Sequence, residues 1–114
     1  MSQRKNFDEF WLNYLRAHAV KTTRLFHYAA TAIGLASLVV AIAMDNWVYL
    51  AGGVTGAYGL AWVSHFTVEN NLPVAFGGPR AAAYSLVSDL RMFALGMTGR
   101  LASELERAGI EHAN

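Results

Sequence analysis

Two apolar runs, residues 25–44 and 47–66, carry no Asp, Glu, Lys or Arg, and only Asp45 and Asn46 separate them. About 20 apolar residues rising about 1.5 Å each span roughly the 30 Å hydrocarbon core of a bilayer. A two-residue polar connection leaves room only for a tight turn, so the two runs predict a helical hairpin with both open ends on one side of a membrane. The expected fold is all-α: an integral membrane helical bundle forming one domain over 1–114. It comprises an amphipathic N-terminal helix over 6–20, a two-span transmembrane hairpin (24–44 and 47–69) and a long C-terminal helix over 79–108.

Charge distribution sets the orientation. Arg4, Lys5, Arg16, Lys21 and Arg24 precede the hairpin, and Arg80, Arg91, Arg100 and Arg107 follow it, whereas the connecting turn has only Asp45. The positive-inside rule places both termini in the cytoplasm. With 54% hydrophobic and 15% charged residues, the chain is too apolar for an ordinary soluble domain. A cleaved signal peptide is not expected, because a long, partly acidic amphipathic segment precedes the first run. A formal net charge of +1 gives no basis for nucleic-acid binding. The absence of cysteine excludes disulfides, thiolate ligands and cysteine nucleophiles.

Outside the hairpin, Asn6 suits an N-cap for a helix in which Phe7, Phe10, Trp11, Tyr14, Leu15 and His18 recur at helical spacing. Lys21-Thr22-Thr23 resembles a break, with either threonine able to cap the next helix. Pro79 is well placed to open the last helix. Gly52, Gly56, Gly59 and Val63 form a small-residue stripe on the second run, suited to close helix contact with another helix or a second copy. A homodimer is therefore one expected assembly.

Three histidines occur where the apolar runs meet charged sequence. From His27 to Asp45 is 18 residues and from Asn46 to His65 is 19, so the two imidazoles return to similar depth. Ionisable groups inside a span are costly and tend to mark function. His65 and Glu69 are four residues apart, on one face of a continuous helix, although alone they equally describe an interfacial histidine and a helix-end acid. His18 alone reads as a helix-end residue, and an uninterrupted helix would turn it away from His27; a break would let the two converge. Together His18, His27, His65 and Glu69 form a candidate site whose imidazole and carboxylate donors suit iron, zinc or manganese. Arg24 could bind a carboxylate or lipid phosphate, or simply anchor the span. Asp89 could orient a ligating imidazole or pair with an arginine. Asn71 and Ser85 fit a supporting network, a loop turn or helix packing. His112 belongs to a polar tail and is expected in solvent. No phosphate-binding glycine loop and no nucleophile elbow is present.

The ordered motifs H-x5-R-x2-H (His18, Arg24, His27), H-F-x2-E-x3-P (His65 to Pro73) and S-x3-D-x2-M (Ser85 to Met92) resemble the Mpo-one-like family. The similarity runs from about Phe7 to Arg107 and places the chain among short bacterial members, hence in the cytoplasmic membrane. The family's fungal member is an endoplasmic-reticulum 2-hydroxy fatty acid dioxygenase. The resemblance implies an Fe(II) enzyme that shortens 2-hydroxy fatty acids by one carbon, with His18, His27 and His65 as iron ligands, and to these the residue pattern adds Glu69 as a fourth ligand or support. Arg24 and Asp89 would complete the catalytic set, and membrane lipid and fatty acid would be the partners. The contrasting expectation is a membrane scaffold, or a lipid- or metal-binding protein without turnover, in which the histidines only satisfy one another.

Overall fold

The computed structural model describes residues 3–110, with side chains from residue 6 onward. The described residues form five α-helices and no strand: α1 (Gln3–Arg16), α2 (Lys21–Ala43), α3 (Val48–Ser64), α4 (Pro79–Met97) and α5 (Leu101–Arg107). A π-helical turn, His65–Glu69, extends α3, and a 3-10 turn, Val74–Gly77, leads into α4.

α2 and α3 form the hairpin, the most extensive helix pairing in the chain. Its turn is built by Asp45, which adopts a left-handed conformation with φ 49°. This lets Asn46 N–H reach back to the Ala41 carbonyl at 2.9 Å, closing α2. Asn46 then accepts the Val48 N–H on its own side-chain oxygen at 3.0 Å, opening α3. The helices pack closely at Ser37 and Gly53, where a Cβ on Gly53 would lie 1.5 Å from Ser37 Oγ.

A separate core joins α1, α4 and α5 through Trp11, Tyr14, Leu15, Met92, Leu101, Leu105 and Ala108. Trp11 Nε1 donates to Glu104 at 2.7 Å, and the Arg91 guanidinium lies over the same indole, 4.6 Å from its centre. α4 joins the two halves of the fold: Tyr28 of α2 packs where Gly96 has no side chain, since a Cβ there would fall 2.5 Å from the tyrosine oxygen.

Several expectations need correction. α1 already includes Gln3, so Asn6 lies inside it and does not cap it, and the helix ends at Arg16, short of residue 20. Neither threonine caps α2, which starts at Lys21 after Val20. The single C-terminal helix expected over 79–108 is two helices. At the break Gly99 takes φ 74°, and Arg100 N–H returns to the Leu95 carbonyl at 2.8 Å, the geometry that terminates a helix. Among the described residues only α2 is long and apolar enough as an α-helix to cross a membrane; α3 has 17 residues before it loosens into the π turn. Gly52, Gly56 and Gly59 face open space: a Cβ at any of them would meet no atom within 4 Å among the described residues. His112 lies outside the described residues.

Candidate metal centre

Between α1 and α2 the chain reverses through Ala17 and His18. Arg24 holds this reversal: its Nη1 donates to the carbonyls of His18 at 2.9 Å and Ala19 at 2.8 Å. Carbonyl groups at a helix end carry partial negative charge and lack helical partners, so a guanidinium satisfies them. From the other side a Glu69 carboxylate oxygen accepts the Val20 N–H at 2.7 Å.

The reversal turns His18 toward His27. His18 Nδ1–H donates to the Tyr14 carbonyl at 2.6 Å and His27 Nδ1–H to the Thr23 carbonyl at 3.0 Å. A carbonyl only accepts, so both Nδ1 atoms carry the proton and both Nε2 atoms present a lone pair. His65 reaches the same state by another route. The π turn ends at Asn70 with φ 60°, which folds Asn71 back so that its N–H meets the His65 carbonyl at 2.9 Å. The Asn71 side-chain amide donates to the Ala17 carbonyl at 3.1 Å, which orients its oxygen to accept from His65 Nδ1–H at 2.8 Å.

All three imidazoles are buried. One ring nitrogen from each lies within 4.8 Å of the other two, and the two Nε2 atoms of His18 and His27 are 3.1 Å apart. The rings meet nearly at right angles, at 89°, 80° and 86°. Burial holds His18 well below its usual pKa, with the neighbouring His27 adding to the effect, so the neutral ligand form is favoured. Converging lone pairs repel one another unless a cation lies among them. A three-nitrogen donor set without thiolate fits Fe(II), Zn(II) or Mn(II), and second-sphere carbonyl and amide acceptors of this kind orient metal-binding histidines.

Below His27 an apolar cavity of about 380 Å³ runs between α2, α3 and the middle of α4. Asp89 and Tyr58 are among its few polar walls. Burial raises the Asp89 carboxyl to about 6, opposed by the hydrogen bond it accepts from the Tyr14 hydroxyl. Burial, followed by the Asp89 charge, pushes the Tyr14 phenol well above its ordinary value. Tyr14 also stacks on His18, with ring centres 4.1 Å apart.

A family model described as 2-hydroxy-palmitic acid dioxygenase Mpo1-like matches residues 4–101 of the 114. The chain belongs to the Mpo1-like family. No curated protein and no solved structure matches it significantly.

In this Mpo1-like chain the structure brings together His18, His27 and His65 but leaves Glu69 outside the cluster. The expectation of a shared His65–Glu69 face assumed an α-helical repeat, and the π turn alters it, releasing Glu69 to hold Val20. Asp89 reaches the cavity wall beside His27, yet it accepts from Tyr14 rather than from a histidine. Arg24 is buried one turn from His27 and has no acidic partner among the described residues. Asn71, for which the sequence left a supporting network open, orients His65, and Asn70 before it takes the left-handed conformation that asparagine tolerates better than most residues. The Tyr14 link between Asp89 and His18 had no signal, because Tyr14 reads from sequence as one aromatic of an amphipathic stripe.

Proposed function

We propose that this protein is a membrane-embedded, Fe(II)-dependent dioxygenase that shortens 2-hydroxy fatty acids by one carbon. The observation that carries the reading is the convergence of three Nδ1-protonated imidazoles, one of which, His27, lines an apolar cavity. The overall reaction, R–CH(OH)–COOH + O2 → R–COOH + CO2 + H2O, balances without any further reductant. Iron(II) held by His18, His27 and His65 would supply the electrons through which dioxygen reacts.

The chain's own groups supply binding and proton placement. The cavity receives the acyl chain and excludes water from it. Arg24 attracts the substrate carboxylate, since its buried charge has no carboxylate partner among the described residues. Asp89, with a pKa near 6, takes the proton of the 2-hydroxyl near neutral pH, and Tyr14 holds it in place. Glu69 positions the start of α2 and, through it, His27.

The hairpin sits in the cytoplasmic membrane of a bacterium, with both termini in the cytoplasm and membrane lipid and fatty acid as partners. The composition of α2 supports this, as do the exposed side chains of Val39, Ile42, Met44, Trp47 and Val48 around the turn, which would leave a large apolar surface in water. Purified protein reconstituted anaerobically with Fe(II) should consume dioxygen with 2-hydroxypalmitate and release the acid one carbon shorter. His65→Ala should lose both iron and turnover. A wild-type protein that binds no iron, or that binds it and forms no shortened acid, overturns the proposal.

A further inference from the structure

Four small side chains hollow out the hairpin below the histidines. Ala30 and Gly34 stand one helical turn apart on α2, Ala57 and Ala61 one turn apart on α3, and all four line the cavity. At Gly34 a Cβ would meet no atom within 4 Å. Farther toward the turn the helices close, with Gly53 against Ser37, and the lining changes to Leu38 and Leu50. The hollow thus has a polar end at His27 and a leucine end, with a glycine on the wall between them.

We infer that this hollow measures the acyl chain, with Gly34 as the residue that sets its usable depth and Leu38 forming the end stop. The inference rests on the reading of the histidine centre as a 2-hydroxy fatty acid site. From His27 to Leu38 is 11 residues of α2, or about 16 Å at about 1.5 Å per residue. An extended hydrocarbon built from about 1.5 Å bonds advances about 1.3 Å per carbon, so roughly 12–13 carbons fit. With the carboxyl and hydroxyl carbons held at the histidine end, a chain of about 14–15 carbons fills the space. Gly34 lies about 10 Å from His27, so carbons beyond roughly the eighth of the tail must pass it. The apolar walls suit a hydrocarbon, and a carboxylate inserted toward Leu38 and Leu50 would be buried without a polar partner, which favours the orientation with the carboxylate at the histidine end.

The test measures binding by the full chain in lipid nanodiscs, reconstituted with Fe(II) without oxygen. A fluorescent fatty acid is displaced by 2-hydroxydecanoate, 2-hydroxyhexadecanoate or 2-hydroxyicosanoate, with iron content measured alongside. Wild type should favour the hexadecanoate. Because each methylene kept out of an apolar site weakens binding about fourfold, Gly34→Leu should bind the hexadecanoate at least about tenfold more weakly while keeping the decanoate and its iron. Leu38→Ala should shift preference the other way, toward the icosanoate, and decides the matter alone if the glycine variant does not fold. Preferences left unchanged by these substitutions, equal weakening at all three lengths with iron retained, or failure of every acid to displace the probe overturn the inference. A length preference that shifts as expected in a protein that never consumes oxygen keeps the measuring hollow and removes the dioxygenase. Turnover with preferences that the substitutions do not move does the reverse.

Discussion

Replacing Asn71 with leucine removes the acceptor that orients His65 while leaving every histidine in place. The Asn71 side chain makes two hydrogen bonds, accepting from His65 Nδ1–H at 2.8 Å and donating to the Ala17 carbonyl at 3.1 Å. Loss of such an orienting partner typically weakens metal binding about 10–100-fold, or about 1.4–2.7 kcal/mol. The freed Ala17 carbonyl and imidazole N–H should cost a further ~1–3 kcal/mol in folding stability. Both effects follow from one side chain, so a second substitution separates them. Asn71→Asp keeps an acceptor for His65 but loses the donor to Ala17; it should therefore retain most of the metal affinity and lose stability. Anaerobic titration of the apo protein with Co(II), read by its visible spectrum, and urea unfolding in detergent would measure the two quantities. If Asn71→Leu binds Co(II) within about twofold of wild type, below the range expected for such partners, the amide is loop structure and the account of His65 is wrong.

Glu69→Gln should leave metal affinity nearly unchanged and destabilise the start of α2 by about 0.5–2 kcal/mol, because its carboxylate accepts the Val20 N–H; a loss of metal matching that of His65→Ala would make Glu69 a ligand. The Asp89 carboxyl is raised in the fold, so between about pH 6 and its ordinary value of 3.8 the folded state binds more protons than the unfolded chain. Its contribution to stability therefore improves as pH falls through about 6 and is lost as pH rises; Asp89→Asn should remove that part of the profile, measured by urea unfolding of the apo protein across pH. His18 acts in the opposite sense: its lowered pKa means the unfolded chain takes up the proton first, so stability should decline as pH falls below about 6.5. Gly53→Ala should destabilise the hairpin by about 1–3 kcal/mol, since its Cβ would fall 2.3 Å from Ser37 Cβ, whereas Gly56→Ala, facing open space, should be neutral or stabilising in detergent.

The hairpin and the meeting of His27 with His65 were legible in the sequence because both depend on local rules. Apolar runs of a given length fold as helices, Asp45 and Asn46 close a turn, and equal residue counts on either side return to equal height. The break before α2 was legible too, which is why His18 could be placed with the other two. Other features depend on which surfaces meet. A helical wheel assumes 3.6 residues per turn, so it could not anticipate the π turn that parts Glu69 from His65 and returns Asn71 to the imidazole Nδ1. The sequence drew attention to the smooth stripe of Gly52, Gly56 and Gly59, yet the helices touch at Gly53, and the cavity lies along Ala30, Gly34, Ala57 and Ala61. Small residues permit close approach wherever they occur, and only the rotation of α2 against α3 and α4 decides which of them become contact, cavity or outer surface. Residues such as Tyr14 and Asp89, 75 positions apart, acquire their partnership at that same stage, because nothing in local sequence encodes a contact between surfaces brought together by folding.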